Sequence, residues 1–229
     1  MVKNKKYSIT AAFIFLFLVS IVMILFPVIV KCFNSISRAC IISQFKKDII
    51  KINERDYCKI IESARTYNQS LLPKRYDPYR FCLTESGLEE YRNILDVTGT
   101  GIIGAIEIAA INVKIPVYLG TDKSILKLGM GHLEGSSLPI GGSDTHSVLC
   151  GHRETLLAKA DRLILGDVFT LKILNETLTY MIDSIVVVKP ENFDYLTIEP
   201  GKDYCTLITC TPFGTTYNRL LLRGVRVFP

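Results

Sequence analysis

The feature that most constrains the fold is a β-type run that stops at a cysteine and is followed at once by a turn. The run covers residues 204–209 and ends at Cys210, and Pro212 and Gly214 come next. Proline cannot continue a hydrogen-bonded ladder, and glycine accepts backbone angles that other residues avoid. A second β-type run begins at Arg219. The sequence therefore predicts a thiol at the end of one strand and a guanidinium at the start of the next.

A thiol and a guanidinium in these places suit nucleophilic catalysis, although the pattern leaves open whether the thiol is catalytic or structural. Arginine stays charged and can hold a carbonyl oxygen or a developing oxyanion. A cysteine nucleophile also needs a histidine to activate it. His146 begins a predicted strand and His152 follows it, and the residues alone do not separate these two candidates. His132 is predicted to be a structural turn residue, and Cys150 and Cys205 to be buried small hydrophobes.

Short β-type runs recur through the second half of the chain. Before them, residues 41–71 carry apolar side chains at helical spacing, which predicts one long or two short amphipathic helices. Residues 72–81 form a loop by composition, and residues 85–95 predict a short helix. Short strands at this spacing indicate a closed barrel or a sandwich. The remaining β-type runs cover residues 102–113, 115–119, 147–149, 168–174, 178–188 and 219–228.

An apolar run near the N-terminus predicts a membrane anchor. Residues 9–30 carry no charge, and about 20 such residues are needed to cross a bilayer. A signal peptide is the alternative, but its apolar region is shorter and ends in a small-residue cleavage site, which is not evident here. Three lysines precede the run, whereas Lys31 and Arg38 follow it. The positive-inside rule then favours an internal N-terminus and an external main domain.

Composition excludes few function classes. The formal charge of +5 is weak evidence for any partner, and no basic surface interleaved with aromatic residues points to nucleic acid. The seven cysteines do not form a paired zinc-binding pattern, no convincing acidic cluster for calcium is present, and no metal or cofactor is expected. An odd number of cysteines leaves at least one free thiol, and the disulfide pairing of the others stays open.

The motifs around Cys210 resemble the active-site signature of sortases, the cysteine transpeptidases of Gram-positive surfaces. Thr-Leu-Ile-Thr-Cys at 206–210, followed by an arginine, carries this resemblance. The chain also resembles the class C, pilus-assembling branch in two segments, Thr-Cys-Thr-Pro-Phe-Gly at 209–214 and Asn-Arg-Leu-Leu-Leu-Arg-Gly at 218–224. Two further segments, 131–142 and 145–153, are also similar to class C. The resemblance covers about residues 67–228 and implies the sortase β-barrel of about eight strands with short helices.

The resemblance also implies residue roles. The family's catalytic histidine lies in Gly-His-Arg, which here is His152 and leaves His146 as a neighbour. Cys210 matches the nucleophile and Arg219 the catalytic arginine. The implied reaction is cleavage of an LPXTG-like sorting signal through a thioacyl intermediate on Cys210, which an amine, a pilin lysine by analogy, then resolves. The implied partners are pilin or surface proteins that carry such signals, together with the membrane.

A third motif resembles the class C lid. The family carries an Asp-Pro-aromatic motif in a loop over the empty site, and Asp77, Pro78 and Tyr79 match it. By analogy Asp77 pairs with Arg219 and Tyr79 covers the sulfur of Cys210. Without the resemblance, Asp77 and Pro78 read as an ordinary turn.

Two features depart from the family pattern. Gly-His-Arg is followed by Glu154 and Thr155, where the family often has Gly-Leu-Pro, which puts the shape of the adjacent loop in doubt. Many class C enzymes carry a second membrane span after the barrel, whereas this sequence stops at Pro229, which leaves open a single-span variant or a truncated chain.

The expected domain organisation has five parts, and two other functions stay open. The alternatives are a housekeeping sortase that attaches proteins to a cell-wall precursor, and a non-catalytic membrane-anchored β-barrel that binds or scaffolds. The expected parts are a cytoplasmic tail at 1–8, a transmembrane signal anchor at 9–30, a juxtamembrane helical region at 31–72, a lid loop at 73–83 and the catalytic barrel at 84–229.

Overall fold

The computed structural model describes residues 2–153, 157–212 and 214–227, with side chains from residue 13 onward except that of Lys31. Glu154, Thr155, Phe213 and Phe228, which figure in the sequence predictions, lie outside the described residues. The chain divides into two compact units, Met1–Cys40 and Ile41–Pro229.

The first unit is helical. Helix α1 (Val2–Ile49) begins in it, and every described side chain of residues 13–30 is exposed. The segment Phe13–Ile49 contains an 18-residue window with a mean hydropathy of 3.2, which makes it long and apolar enough to cross a membrane. A signal sequence near the N-terminus can meet the same criteria of length and apolarity, so this feature alone is weak evidence for a permanent anchor.

The second unit opens with helices that pack on the barrel. The helical prediction for residues 41–71 resolves into the end of α1 and a separate helix, α2 (Glu54–Ser70). The break occurs because the Asn53 side chain accepts a hydrogen bond from the backbone N–H of Asp56, which caps the new helix. Phe45 and Ile49 of α1 are buried in the core. A short helix α3 (Glu85–Ile94) follows, where the sequence predicted one.

Eight strands form a closed barrel, which confirms the predicted fold class. Their order around the barrel is β1, β2, β3, β4, β7, β8, β6 and β5, and β5 pairs with β1 to close it. Most pairs are antiparallel, but β2 with β3 and β4 with β7 are parallel. The strands are β1 (Ile102–Ile108), β2 (Val113–Leu119), β3 (Met130–His132), β4 (Thr145–Cys150), β5 (Val168–Ile173), β6 (Glu176–Val188), β7 (Asp203–Thr211) and β8 (Asn218–Val227).

The strands β4, β7 and β8 lie side by side and carry different residues on their two faces. Cys205 and Leu207 of β7 belong to the main core, whereas Ile208 packs in a second apolar cluster. This alternation follows from the two-residue period of a strand, and it places Cys210 on the same outer face as Ile208. Gly224 of β8 points inward, where an added Cβ would lie 2.7 Å from the ring of Phe169.

Three details of the barrel differ from the sequence predictions. The continuous run 102–113 is broken after β1 by a 3₁₀ turn, Ala109–Ile111, and Asn112 then adopts a left-handed backbone with φ of 53°. An unbroken apolar run does not show where a chain reverses, which is why the break was missed. Strand β3 and helix α4 (Lys123–Leu128) were not predicted, because both are too short to give a periodic pattern.

Candidate active site

Cys210 and Arg219 lie directly opposite each other. Cys210 is the second-last residue of β7, and in the antiparallel ladder its partner on β8 is Arg219. Directly paired residues of an antiparallel ladder project to the same face. Both side chains are half-buried. The Nη1 atom of Arg219 donates to the carbonyl oxygens of Thr216 at 3.0 Å and Asn218 at 3.3 Å, which holds the guanidinium at the strand end.

His152 approaches Cys210 from the opposite side of β7. Cys150, the last residue of β4, pairs with Ile208 of β7 in a parallel ladder. The N–H of Gly151 continues that ladder by donating to Ile208 O at 2.9 Å. Continued for two more residues on each chain, the same register would set half-buried His152 opposite Cys210. The three residues that the sequence proposed therefore lie at the same end of three adjacent strands, with the thiol on the middle strand.

His146 occupies a different environment. It is buried on β4, its Nδ1 donates to the carbonyl of Thr197 at 2.7 Å, and its Nε2 accepts from the hydroxyl of Thr206 at 2.7 Å. Burial lowers the pKa of His146 to about 4, and the charges of Arg80 and Arg223 act in the same direction. Because its imidazole is neutral and both ring nitrogens are hydrogen-bonded, His146 has a structural role.

His132 has a structural environment too, although on a strand instead of the predicted turn. It lies in β3 and is fully buried. Its Nε2 donates to Ser137 O at 2.8 Å and its Nδ1 accepts from the Tyr91 hydroxyl at 2.7 Å. Burial lowers the pKa of His132 to about 4.

The cysteines other than Cys210 are placed less well for catalysis. Cys205 is fully buried, as predicted. Cys150 lies at the end of β4 instead of mid-strand and is half-buried, and burial raises the pKa of its thiol to about 12. All seven cysteines are free thiols. Within the described ranges, no group of three or more His, Cys, Asp or Glu side chains could hold a metal ion.

The lid motif does not make the contacts that the resemblance implies. The Asp77 carboxylate accepts the Tyr79 N–H at 2.8 Å and caps a 3₁₀ helix, Pro78–Phe81. Among the residues that the structure describes, no carboxylate forms an ion pair with Arg219, so the expected pair with Asp77 is absent. Tyr79 is 78% exposed and does not cover the sulfur of Cys210. Asp77 Oδ1 is engaged instead in this local capping bond, and the Tyr79 side chain lies in solvent.

The next two residues along the chain make the contacts instead. Arg80 is buried and donates from Nη2 to the carbonyl of Leu196 in the β6–β7 loop. Phe81 stacks on Phe193 of the same loop, with ring centroids 5.1 Å apart. Both rings pack on an apolar patch beside the candidate site, which we call the outer cluster. Its buried members are Val148, Val188, Leu196 and Leu221.

Arg153 was missed as a candidate, although it follows the proposed catalytic histidine. Its side chain is buried, and Nη1 donates to Thr211 Oγ1 at 3.1 Å and to the carbonyl oxygen of Cys210 at 3.5 Å. No sequence pattern indicated these contacts, because an arginine in a loop is usually exposed.

Comparison with known proteins identifies the family. Residues 106–227 match the sortase domain, which is more than half of the chain and includes His152, Cys210 and Arg219. The chain belongs to the sortase family. Its curated relatives include Sortase D of Bacillus subtilis, which is 32% identical over 127 residues. That alignment covers 54% of this chain and 63% of the relative, less than two thirds of its length.

Solved structures narrow the family to its class C branch. Sortase C1 of Streptococcus agalactiae is 43% identical, has a TM-score of 0.77, and the match covers 82% of this chain and 98% of that chain. Sortase C of Clostridium perfringens, solved with the C-terminal cell wall sorting motif, is 37% identical with a TM-score of 0.72, and the match covers 83% and 100%. These neighbours confirm the class C resemblance. Sortases are cysteine transpeptidases, so the prediction that the chain belongs to an enzyme family of that type is also confirmed.

Proposed function

We propose that this sortase cleaves an LPXTG-like sorting signal and joins its threonine carboxyl to an amine, a lysine side chain of the next pilin. The observation that carries the proposal is the order β4, β7, β8. It places Cys210 between the loop of His152 and its ladder partner Arg219. A thiol, an imidazole and a guanidinium at the same end of these strands would supply the nucleophile, the acid–base group and the oxyanion partner of acyl transfer.

In the first half-reaction, the Cys210 thiolate attacks the threonine carbonyl carbon. A C–S bond forms, and the carbonyl oxygen becomes an oxyanion beside the Arg219 guanidinium, whose fixed charge stabilises it. The C–N bond to the following glycine then breaks, and the imidazolium of His152 gives its proton to the leaving amine. The products are a thioester on Cys210, a neutral His152 and a peptide with a free amine.

In the second half-reaction, the lysine amine attacks the thioester carbon. Neutral His152 takes the proton that the amine loses as the new C–N bond forms. The C–S bond then breaks and returns the Cys210 thiolate beside the imidazolium. The cycle conserves protons and needs no metal or redox partner, because each half-reaction moves one proton to or from the same imidazole.

Access to this site is proposed to depend on the lid segment at 73–83. Phe81 and Phe193 pack on the outer cluster next to the candidate site, and Arg80 fastens the segment to Leu196. An extended sorting signal that lies along this face must displace Phe81. The lid role is therefore placed on the motif Asp77, Pro78 and Tyr79 together with the two residues after it.

The remaining domain assignments belong to the same proposal. Residues 1–8 would form a cytoplasmic tail, 9–30 a membrane span and 31–72 the juxtamembrane helices. The catalytic barrel, 84–229, would lie outside the cell, where pilin and surface proteins with sorting signals are found. The apolar part of helix α1 at residues 13–30, whose side chains are all exposed, supports this placement.

The test uses the full-length protein in detergent micelles with a fluorogenic LPXTG peptide, with and without a lysine-containing acceptor peptide. Cleavage, transfer to the acceptor, and a peptide adduct on Cys210 detected by mass spectrometry are expected. Cys210→Ala should show none of these. Transfer to a cell-wall precursor amine in preference to the lysine peptide would favour the housekeeping alternative.

If the wild-type protein shows no peptide turnover, a second experiment is needed, since a closed lid also blocks turnover. Phe81→Ala is expected to speed alkylation of Cys210 by about threefold or more, because it opens the covered face. Tyr79→Ala, at an exposed position, is the matched control and should change little. Peptide turnover that stays absent in Phe81→Ala, and in Asp77→Ala combined with Tyr79→Ala, would favour the non-catalytic binding module.

A further inference from the structure

Arg153 ties the loop of the proposed catalytic histidine to the strand of the nucleophile. Its Nη1 donates to Thr211 Oγ1 at 3.1 Å and to the backbone carbonyl of Cys210 at 3.5 Å. Its Nη2 lies 3.6 Å from the Asp161 carboxylate, in the same loop as Arg153 itself. One guanidinium therefore joins two points of the β4–β5 loop to the last two residues of β7.

The site of this arginine is unusual for a charge that serves stability alone. The Arg153 side chain is only 7% exposed, whereas its ion-pair partner Asp161 is 60% exposed. Removing a cation from water is costly unless its partners compensate, and an exposed carboxylate at 3.6 Å compensates little. The buried Nε atom also has no hydrogen-bond partner among the described residues. The Arg153 guanidinium is thus held next to the carbonyl of Cys210, although its partners compensate little of the cost of burying its charge.

The ladder between the two strands stops just before the proposed catalytic residues. Its last backbone bond runs from Gly151 N–H to Ile208 O. In the described ranges, the next hydrogen bonds from this loop to β7 come from the Arg153 side chain. His152 lies between these two connections, so its position relative to Cys210 depends on both.

We propose that Arg153 is a positioning residue that sets the separation of the His152 imidazole and the Cys210 thiol. The inference rests on the proposed acyl-transfer function. It predicts that loss of the side chain lowers kcat and leaves substrate affinity nearly unchanged, because Arg153 touches the nucleophile's backbone and not the substrate face. A misplacement of about 1 Å between reacting groups can cost about 100-fold in rate.

The test compares Arg153→Gln, Arg153→Lys and Asp161→Asn in the full-length protein. Besides kcat and KM for the sorting peptide, it measures the ratio of Cys210 alkylation rates by iodoacetamide at pH 6 and pH 9. A well-placed imidazolium raises that ratio by favouring the thiolate at low pH. His152→Gln supplies the ratio for a thiol without its histidine.

Arg153→Gln is expected to lose about 10- to 100-fold in kcat with KM within about threefold, and its alkylation ratio should fall most of the way to that of His152→Gln. Arg153→Lys should give intermediate values, and Asp161→Asn should match wild type because the contacts to β7 remain. If Arg153→Gln does not fold, Thr211→Val removes the shorter contact and should lower the same two quantities.

Two results overturn the inference. One is an unchanged kcat and an unchanged alkylation ratio in folded Arg153→Gln, or in Thr211→Val where that variant replaces it. The other is an equal loss in Asp161→Asn, which would place the effect within the loop. If wild type and His152→Gln give equal alkylation ratios, His152 does not activate Cys210. That outcome would contradict the proposed function itself and not only the role of Arg153.

Discussion

The same three strands carry two similar sets of residues on their outer face, and only one set suits chemistry. Near one end of the barrel, His146 of β4, Thr206 of β7 and Arg223 of β8 lie side by side, with Thr206 and Arg223 paired in register. Near the other end, His152 follows β4, and Cys210 and Arg219 occupy the matching places on β7 and β8.

The first set is saturated with partners. His146 uses both ring nitrogens, and Arg223 binds both carboxylate oxygens of Asp183, at 3.1 and 2.9 Å, as well as Glu199 at 3.3 Å. Its guanidinium also lies 4.2 Å from the centre of the Tyr204 ring. This set fastens the β6–β7 loop through the Thr197 carbonyl. Groups that are fully engaged in this way are not available to a substrate.

The residues of the second set have fewer hydrogen-bond and ion-pair partners. His152, Cys210 and Arg219 are all half-buried, and Arg219 bonds to two nearby carbonyls. No carboxylate among the described residues forms an ion pair with Arg219. The comparison teaches that similar residue types on neighbouring strands become structural or reactive according to whether surrounding groups saturate them with hydrogen bonds and ion pairs.

Replacing each of the two histidines by glutamine tests the comparison most strongly. His152→Gln should lower kcat by about 10²- to 10⁴-fold, because general acid–base catalysis contributes that much, with little change in melting temperature. His146→Gln should instead lower the melting temperature while folded protein keeps most of its kcat. Peptide turnover and circular dichroism melts check both variants. Full activity in His152→Gln would break the comparison.

The two arginines give the next largest effect. Arg219→Lys should cost about 100-fold in kcat, since a lysine point charge cannot reproduce the placement of an oxyanion donor. Arg223→Lys should cost about 1 kcal/mol of unfolding free energy through the lost bidentate pair, with kcat within about threefold. Steady-state kinetics and urea unfolding measure these quantities. Equal kinetic losses in both variants would show that the two arginines are not distinct in role.

The pH dependence of stability sharpens the structural half of the comparison. The pKa values of His146 and His132 are lowered to about 4, so the folded state keeps them neutral while the unfolded state protonates them near pH 6.5. The unfolded state then binds more protons, and stability falls as pH drops from about 6.5 to 4, by up to about 3 kcal/mol for each histidine. Urea unfolding at several pH values measures this loss.

His146→Gln is the control for that measurement. It removes one titrating group, so the variant should be less stable at neutral pH yet lose less stability on acidification than wild type. Parallel pH curves for wild type and variant would contradict the low pKa of buried His146.

The sequence by itself determined the strand, turn and strand around Cys210, and the resemblance attached to those motifs named the family and its class. This worked because a run of β-type residues interrupted by Pro212 and Gly214 has few local solutions, and because the motif segments are contiguous in the chain. The apolar residues 9–30 predicted their helix for the same local reason.

Only the tertiary structure decided which residues share an environment. It separated His146 from His152, since burial and hydrogen-bond partners depend on the β6–β7 loop, which lies 51 residues from His146 at the Thr197 contact. It also showed that Phe81 packs on the outer cluster while Tyr79 stays exposed, and that Arg153 reaches the carbonyl of Cys210. These contacts join segments far apart in sequence, and no local pattern encodes which of two nearby side chains turns inward.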